Sequence, residues 1–97
     1  MARKRERTMQ ITVLGKPVPV RFTKKLPRGV DGECDGPEVQ NREIRIREGL
    51  TPERELAVLH HEYHHWVDWY RDESWVVLVG EESAALTVQL GWRKESE

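Results

Sequence analysis

Cys34 is the only cysteine among 97 residues, and this limits how the chain can hold itself together. A domain this short builds a thin core, which small proteins commonly reinforce with disulfides, a metal ion or a partner chain. One thiol forms no internal disulfide, so a metal or oligomerisation is the expected reinforcement. The length accommodates one domain, expected over residues 9–93 between a flexible basic arm at 1–8 and a short tail at 94–97. Any chemistry must sit in that single core.

A lone thiol suits a reducing compartment. The opening MARKRERTMQITVLG is basic, like the start of an export signal, but lacks the long apolar stretch that follows in one. No window approaches the roughly 18 consecutive apolar residues of a membrane span. A cytoplasmic protein without a membrane partner is expected. The net charge of −1 conceals a division: nine Lys and Arg against Glu6 alone up to Arg28, then seven basic against sixteen acidic residues. Arg3, Lys4, Arg5 and Arg7 would suit a nucleic-acid arm. No aromatic residue interleaves them to stack on bases, which favours a solvated terminus over a nucleic-acid partner.

Periodicity orders the rest. MQITVLG alternates with Ile11 and Val13 on one side, and KPVPVRFTKKL with Val18, Val20 and Phe22, two half-buried strands joined at Gly15 and Lys16. Pro17 and Pro19 cannot donate ladder hydrogen bonds, which predicts an edge position for the second strand. PRGVDGECDGPEVQN reads as a loop in which the residues around Cys34 can pair briefly. REIRIRE alternates again, with Ile44 and Ile46 inward and Arg42, Arg45 and Arg47 outward or at the sheet edge. A helix then opens with Thr51 as N-cap, Pro52 at its first position and Glu53 and Glu55 in its first turn, and runs to about Tyr70. Leu56, Leu59, Tyr63, Trp66, Val67 and Tyr70 form its broad apolar face. A second helix spans roughly Ser74 to Leu90, with Trp75, Leu78, Val79, Leu86 and Leu90 inward and Gly91 ending it. The fold class is α+β: a small antiparallel sheet of three or four strands followed by two packed helices.

All four histidines lie in HHEYHH, residues 60–65. His61, Glu62 and His65 spell H-E-x-x-H. One helical turn apart, His61 and His65 can reach one Zn²⁺, with Glu62 beside them to work on a water as general base. The pair falls at a seam beside the main apolar face, where another element can cover it. His60 and His64 repeat the spacing on the other side of the helix without a glutamate in the Glu62 relation, and read as solvated helix histidines. A catalytic zinc usually has three protein ligands. Downstream candidates are Asp68, Asp72, Glu73, Glu81 and Glu82. Asp68 lies about 10 Å along the axis from His61, too far to join both imidazoles, and is better cast as a carboxylate orienting His65. Glu82 falls within the expected apolar stripe of the second helix, where a carboxylate is costly without a partner, so it has the strongest claim.

LHHEYHHWVDWY followed by DESWVVLVGEESAALTVQLGW resembles small zincin-type metallopeptidases of the gluzincin kind, in particular short phage and bacterial proteins grouped with the ImmA/IrrE-like metallo-endopeptidases. GECDGPEVQNREIRIREGL is similar to the strand and loop before their active helix, so the resemblance covers Gly32 to Arg93. It implies a zincin-like fold whose first helix carries the motif, His61 and His65 as zinc ligands, Glu62 as general base and then acid, and Glu82 as third ligand. It further implies hydrolysis of a peptide or protein substrate, in a bacterial host or encoded by a phage. The strand Arg42–Arg47, next to the active helix in such folds, would bind an extended peptide by strand addition. Tyr63, His64 and Tyr70 are candidate oxyanion donors.

DGECDG begins like a calcium loop at Asp31, Glu33, Asp35 and Gly36, but Arg42 stands at the twelfth position, where a bidentate Glu is required. Cys34 reads as a small buried residue or as a further zinc ligand that holds the enzyme latent. The expected function is a zinc-dependent metallopeptidase. Its rival is a non-catalytic zinc-stabilised interaction module with Trp69, Trp75 and Trp92 on a partner surface.

Overall fold

A computed structural model describes residues 6–91; Arg3, Lys4, Arg5, Trp92 and the tail at 94–97 lie outside the described residues. Strands β1 (Thr8–Val13) and β2 (Lys16–Thr23) form an antiparallel hairpin whose two-residue turn is Leu14–Gly15, one residue earlier than the sequence suggested. Both turn residues have positive φ, 52° and 78°, the backbone that matches strand twist in tight hairpins. Gly15 adopts it freely, whereas Leu14 is held there with its side chain in solvent.

Strands β3 (Gly32–Cys34) and β4 (Ile44–Arg47) complete a four-stranded sheet of order β1-β2-β4-β3. β3 is antiparallel to β4, but β4 is parallel to β2. The sheet is therefore mixed, which corrects the expected antiparallel arrangement. The cause is the connection: the chain leaves β2, forms the far edge as β3, and returns to insert β4 between them. β2 is internal rather than an edge strand. Its prolines are tolerated because β4 pairs only with Val20–Thr23, leaving β1 as the sole strand neighbour of Pro17 and Pro19 among the described residues.

Val18, Val20, Phe22, Ile44 and Ile46 alternate onto one face and form the core with Val13 and Val58. The register sets Val20 beside Ile44 and Phe22 beside Ile46. Arg21, Arg45 and Glu33 alternate out of phase with them, and Arg45 binds Glu33 at 3.1 Å, Asp35 at 2.7 Å and Glu43 at 3.1 Å. Asp31 faces Arg47 at 3.5 Å and Arg54 at 3.2 Å. The acids of DGECDG thus serve arginines. Arg47 also donates to the carbonyls of Pro27 and Val30 at 2.8 and 3.0 Å, fastening the loop before β3. Arg7 lies 3.7 Å from the Phe22 ring centre and pairs with Glu55 at 2.9 Å, and β1 begins at Thr8, so ordered structure reaches into the span expected as an arm.

Helix α1 (Pro52–Val67) is capped by Thr51, whose side chain accepts from the Arg54 N–H at 3.3 Å. It stops at Val67, three residues short of Tyr70, with Asp68 as C-cap. The side chains it buries are Val58 and Glu62, with Leu59 and Trp66 partly covered. Tyr63, Val67 and Tyr70 are exposed, so the buried face is rotated from the expected one toward Val58. Two neighbours rather than one explain the shift, because α1 packs on β3 and β4 and also on α2 (Glu73–Gln89).

α2 reverses its expected orientation. It buries Val76, Gly80 and Ala84, while Trp75, Leu78, Leu86 and Leu90 are exposed. Small residues let the helix backbones approach: a Cβ on Gly80 would lie 3.1 Å from the His61 Cα and 3.2 Å from its N. Close backbone packing wins here over burying the largest side chains. Asp72 caps α2 by accepting from the Ser74 N–H at 2.8 Å, and Gly91, at φ 99°, follows its end. Among the described residues, no helix is long and apolar enough to cross a membrane.

Candidate metal centre

The crossing of α1 and α2 assembles the candidate centre. His61 and His65, at i and i+4, turn their Nε2 atoms to within 3.1 Å of one another. Glu73, the first residue of α2, brings Oε1 to 3.2 Å from His61 Nε2 and Oε2 to 2.9 Å from His65 Nε2. These three side chains form a group able to hold a metal ion. Tetrahedral zinc with bonds of about 2.0–2.1 Å separates neighbouring ligand atoms by about 3.3 Å, which the 3.1 Å between the two imidazole nitrogens fits, while the Glu73 carboxylate offers one oxygen to each of them. The donor set, two imidazoles and a carboxylate, is also one zinc accepts. Burial, then the nearby His65, lowers the His61 pKa, which favours the neutral imidazole that a metal requires.

Glu62 lies on the neighbouring face, 6 % exposed. It has no hydrogen-bond or ion-pair partner among the described residues. Loss of water pushes its pKa up to about 7, aided by the negative charges of Glu73 and Glu33 and opposed by Arg45. Gly32 of β3 makes the room: a Cβ there would meet Val58 Cγ1 at 2.5 Å and Glu62 Oε2 at 3.0 Å. Glu62 lines cavities on both sides. One is bounded by Asp31, Gly32, Arg54, His61 and Glu81, the other by Glu33, Cys34, His65, Trp69, Arg71 and Glu73. β3 runs along both, and it is an outer strand of the sheet. β4 is flanked by β2 and β3, so the expected strand addition at Arg42–Arg47 has no free edge to use.

His61, Glu62 and His65 therefore come together as the sequence predicts, whereas Glu82 does not join them. It lies on the exposed face of α2 beside Leu78 and Leu86, because the small-residue face is the one turned to α1. Glu73 occupies the third position instead. Glu73 is among the downstream candidates, and it shares one helical stripe with the buried Val76, Gly80 and Ala84, a pattern that points inward only once small residues are weighed above large apolar ones. Asp68 does not touch His65; it caps α1 and pairs with Arg71 at 3.3 Å. Cys34 lines the cavity with His65 and Glu73 but lies outside the three-residue group. Burial pushes its thiol pKa up to about 12, which keeps it neutral, and its Sγ donates to the Asp35 carbonyl at 3.4 Å.

His60 and His64 are neither free in solvent nor turned to the centre. His60 Nδ1 is 2.8 Å from Ser83 Oγ on α2, and the His64 ring meets Trp75 edge-on, 5.8 Å between centres. Burial lowers the pKa of both. Of the candidate oxyanion donors, Tyr70 is 86 % exposed, and neither Tyr63 nor His64 lines the two cavities beside Glu62. Arg42 steadies the region by stacking 3.9 Å from the Trp66 ring centre and donating to the carbonyls of Asp35 and Trp66. Comparison with protein-family models, curated proteins and solved structures found no match.

Proposed function

We propose that this chain is a minimal zincin-like zinc metallopeptidase acting on a peptide or protein in the cytoplasm, with His61, His65 and Glu73 as metal ligands and Glu62 as general base and acid. The observation that carries the reading is the convergence of two imidazole nitrogens and the two oxygens of one carboxylate at 2.9–3.2 Å, beside the largely buried Glu62, whose carboxylate has no protein partner among the described residues and opens onto two cavities. An unpaired buried acid destabilises a fold, and such groups concentrate where chemistry uses them.

Zinc held there would supply Lewis acidity to a peptide carbonyl and to water. Glu62 would accept, at a carboxylate oxygen, the proton released by the water whose oxygen adds to the peptide carbonyl carbon, and would pass it to the amine nitrogen as the C–N bond breaks. A pKa of about 7 suits both transfers at neutral pH. An extended substrate would add as a strand along the outer edge of β3, which brings its backbone past Glu62. The test is zinc content with cleavage of a peptide library by wild type, Glu73→Gln and Glu62→Gln. Zinc weakened by the first change, and kept by the second while cleavage disappears, is expected. Zinc bound with no cleavage by wild type would favour the non-catalytic zinc-stabilised module, and no zinc in wild type would end the reading.

A further inference from the structure

α2 is apolar on both sides, yet the described residues cover only one side. Its inner stripe of Val76, Gly80 and Ala84 packs on α1, while Leu78, Leu86 and Leu90 run along the outside, 60, 55 and 79 % exposed, and Trp75, 36 % exposed, borders that face with its ring against His64 and under Arg71. A helix apolar all round is normally buried all round. Leu78, Val79, Glu82, Ser83, Leu86 and Gln89 line a furrow on this outer face. At its middle stands Glu82, which among the described residues has no hydrogen-bond or ion-pair partner. We propose that the outer face of α2 docks an amphipathic helix of another protein whose apolar stripe carries a lysine or arginine at its centre.

Three features select that occupant. Trp75, Leu78, Glu82, Leu86 and Leu90 recur at three and four residues over about 22 Å of helix, the spacing that takes the ridge of another helix. Charge decides between a second copy and a different chain. The stripe is nearly palindromic about Glu82, with Leu78 four residues before it and Leu86 four after. A two-fold antiparallel pair of α2 helices would therefore match leucine to leucine but set Glu82 against Glu82 of the other copy. Like charges at the centre of a drying interface oppose that pairing, whereas a cation there is matched. A membrane surface is disfavoured too, because α2 carries Glu73, Glu81 and Glu82 and no basic residue, the reverse of helices that settle on anionic lipid.

The test uses the full chain and two synthetic 18-residue amphipathic helices, identical except for lysine or glutamate at the centre of a leucine stripe, read by fluorescence anisotropy. The lysine peptide is expected to bind at least about tenfold tighter than the glutamate peptide. Glu82→Lys is expected to invert that preference, and Leu78→Ser with Leu86→Ser to abolish binding with helix content retained by circular dichroism. Equal affinity for the two peptides, absence of binding to either, or a preference unmoved by Glu82→Lys would overturn the proposal. So would a wild-type dimer in sedimentation that Leu78→Ser with Leu86→Ser dissolves, since a second copy would then occupy the face.

Discussion

α1 carries two histidine pairs of identical spacing, and they end in different chemistry. His61 and His65 converge to 3.1 Å and meet Glu73. His60 and His64, one residue earlier in each case, turn into the contact with α2, where one faces Ser83 and the other Trp75. A rotation of about 100° around the helix separates the pairs. The spacing i, i+4 only makes convergence possible. A neighbouring helix that supplies a carboxylate on one side and a hydroxyl and an indole on the other decides which pair can hold a metal.

The contrast breaks most directly by deleting each pair. In His61→Ala or His65→Ala, zinc content is expected to fall from about one per chain to near none, whereas His60→Ala and His64→Ala should retain it. Mass spectrometry of purified protein reads this. Glu73→Gln should weaken zinc affinity by at least about tenfold, while Glu82→Gln leaves it unchanged. Equal losses from both histidine pairs, or a larger loss from Glu82→Gln than from Glu73→Gln, would remove the distinction.

Glu62 sharpens it next. In Glu62→Gln, cleavage is expected to fall about 10²–10⁴-fold with zinc kept. The same change has a signature in stability. In the metal-free fold the carboxyl pKa is raised from 4.5 to about 7, so the folded state holds this proton more tightly than the unfolded chain. Its stabilisation is full below pH 4.5 and is lost as pH rises through 7. The difference is worth roughly 3 kcal/mol. Urea unfolding in a chelator should show wild type losing that much relative to Glu62→Gln across this window, and parallel pH profiles would contradict the buried, unpaired state.

The sequence made some of this readable because the relevant forces are local. Thr51 and Pro52 start α1 through capping and a fixed φ, and the alternation around Ile44 and Ile46 marks a half-buried strand from its own residues. His61, Glu62 and His65 share a turn, so no distant contact was needed to associate them. What failed depends on layers meeting. Hydrophobic size suggested that Leu78 and Leu86 face inward, but backbone proximity at Gly80 chose the opposite face, moving Glu82 out and Glu73 in. The parallel pairing of β4 with β2 is likewise a property of the connection through β3, which no single segment encodes.

Gly80 tests that account with a smaller effect. A Cβ at this position meets His61 backbone at 3.1 and 3.2 Å, and backbone atoms cannot step aside as a side-chain tip can. In Gly80→Ala, α2 must withdraw by a few tenths of an ångström. Alanine's helix preference returns up to about 1 kcal/mol against an overpacking cost of about 1–3 kcal/mol. Net destabilisation of about 1 kcal/mol is expected, with weaker zinc affinity because Glu73 moves with its helix. Unchanged zinc affinity would mean that the crossing at Gly80 does not position the ligand.

The smallest effect belongs to the pair that holds no metal. His60→Ala removes the 2.8 Å contact with Ser83 Oγ, but Ser83 keeps its donation to the Gly80 carbonyl at 3.2 Å, so no buried hydroxyl is orphaned. The loss should be about 1 kcal/mol, the net value of one such hydrogen bond. Its pH dependence opposes that of Glu62. The folded pKa of His60 lies below 6.5, chiefly through burial and then through His64, so its stabilisation is present above pH 6.5 and is lost as pH falls through the folded value. The gap between wild type and His60→Ala in chemical unfolding should therefore be widest in mild alkali and close in acid. A gap that grows on acidification, or a loss of zinc in His60→Ala, would place His60 with the metal pair and erase the division between the two sides of α1.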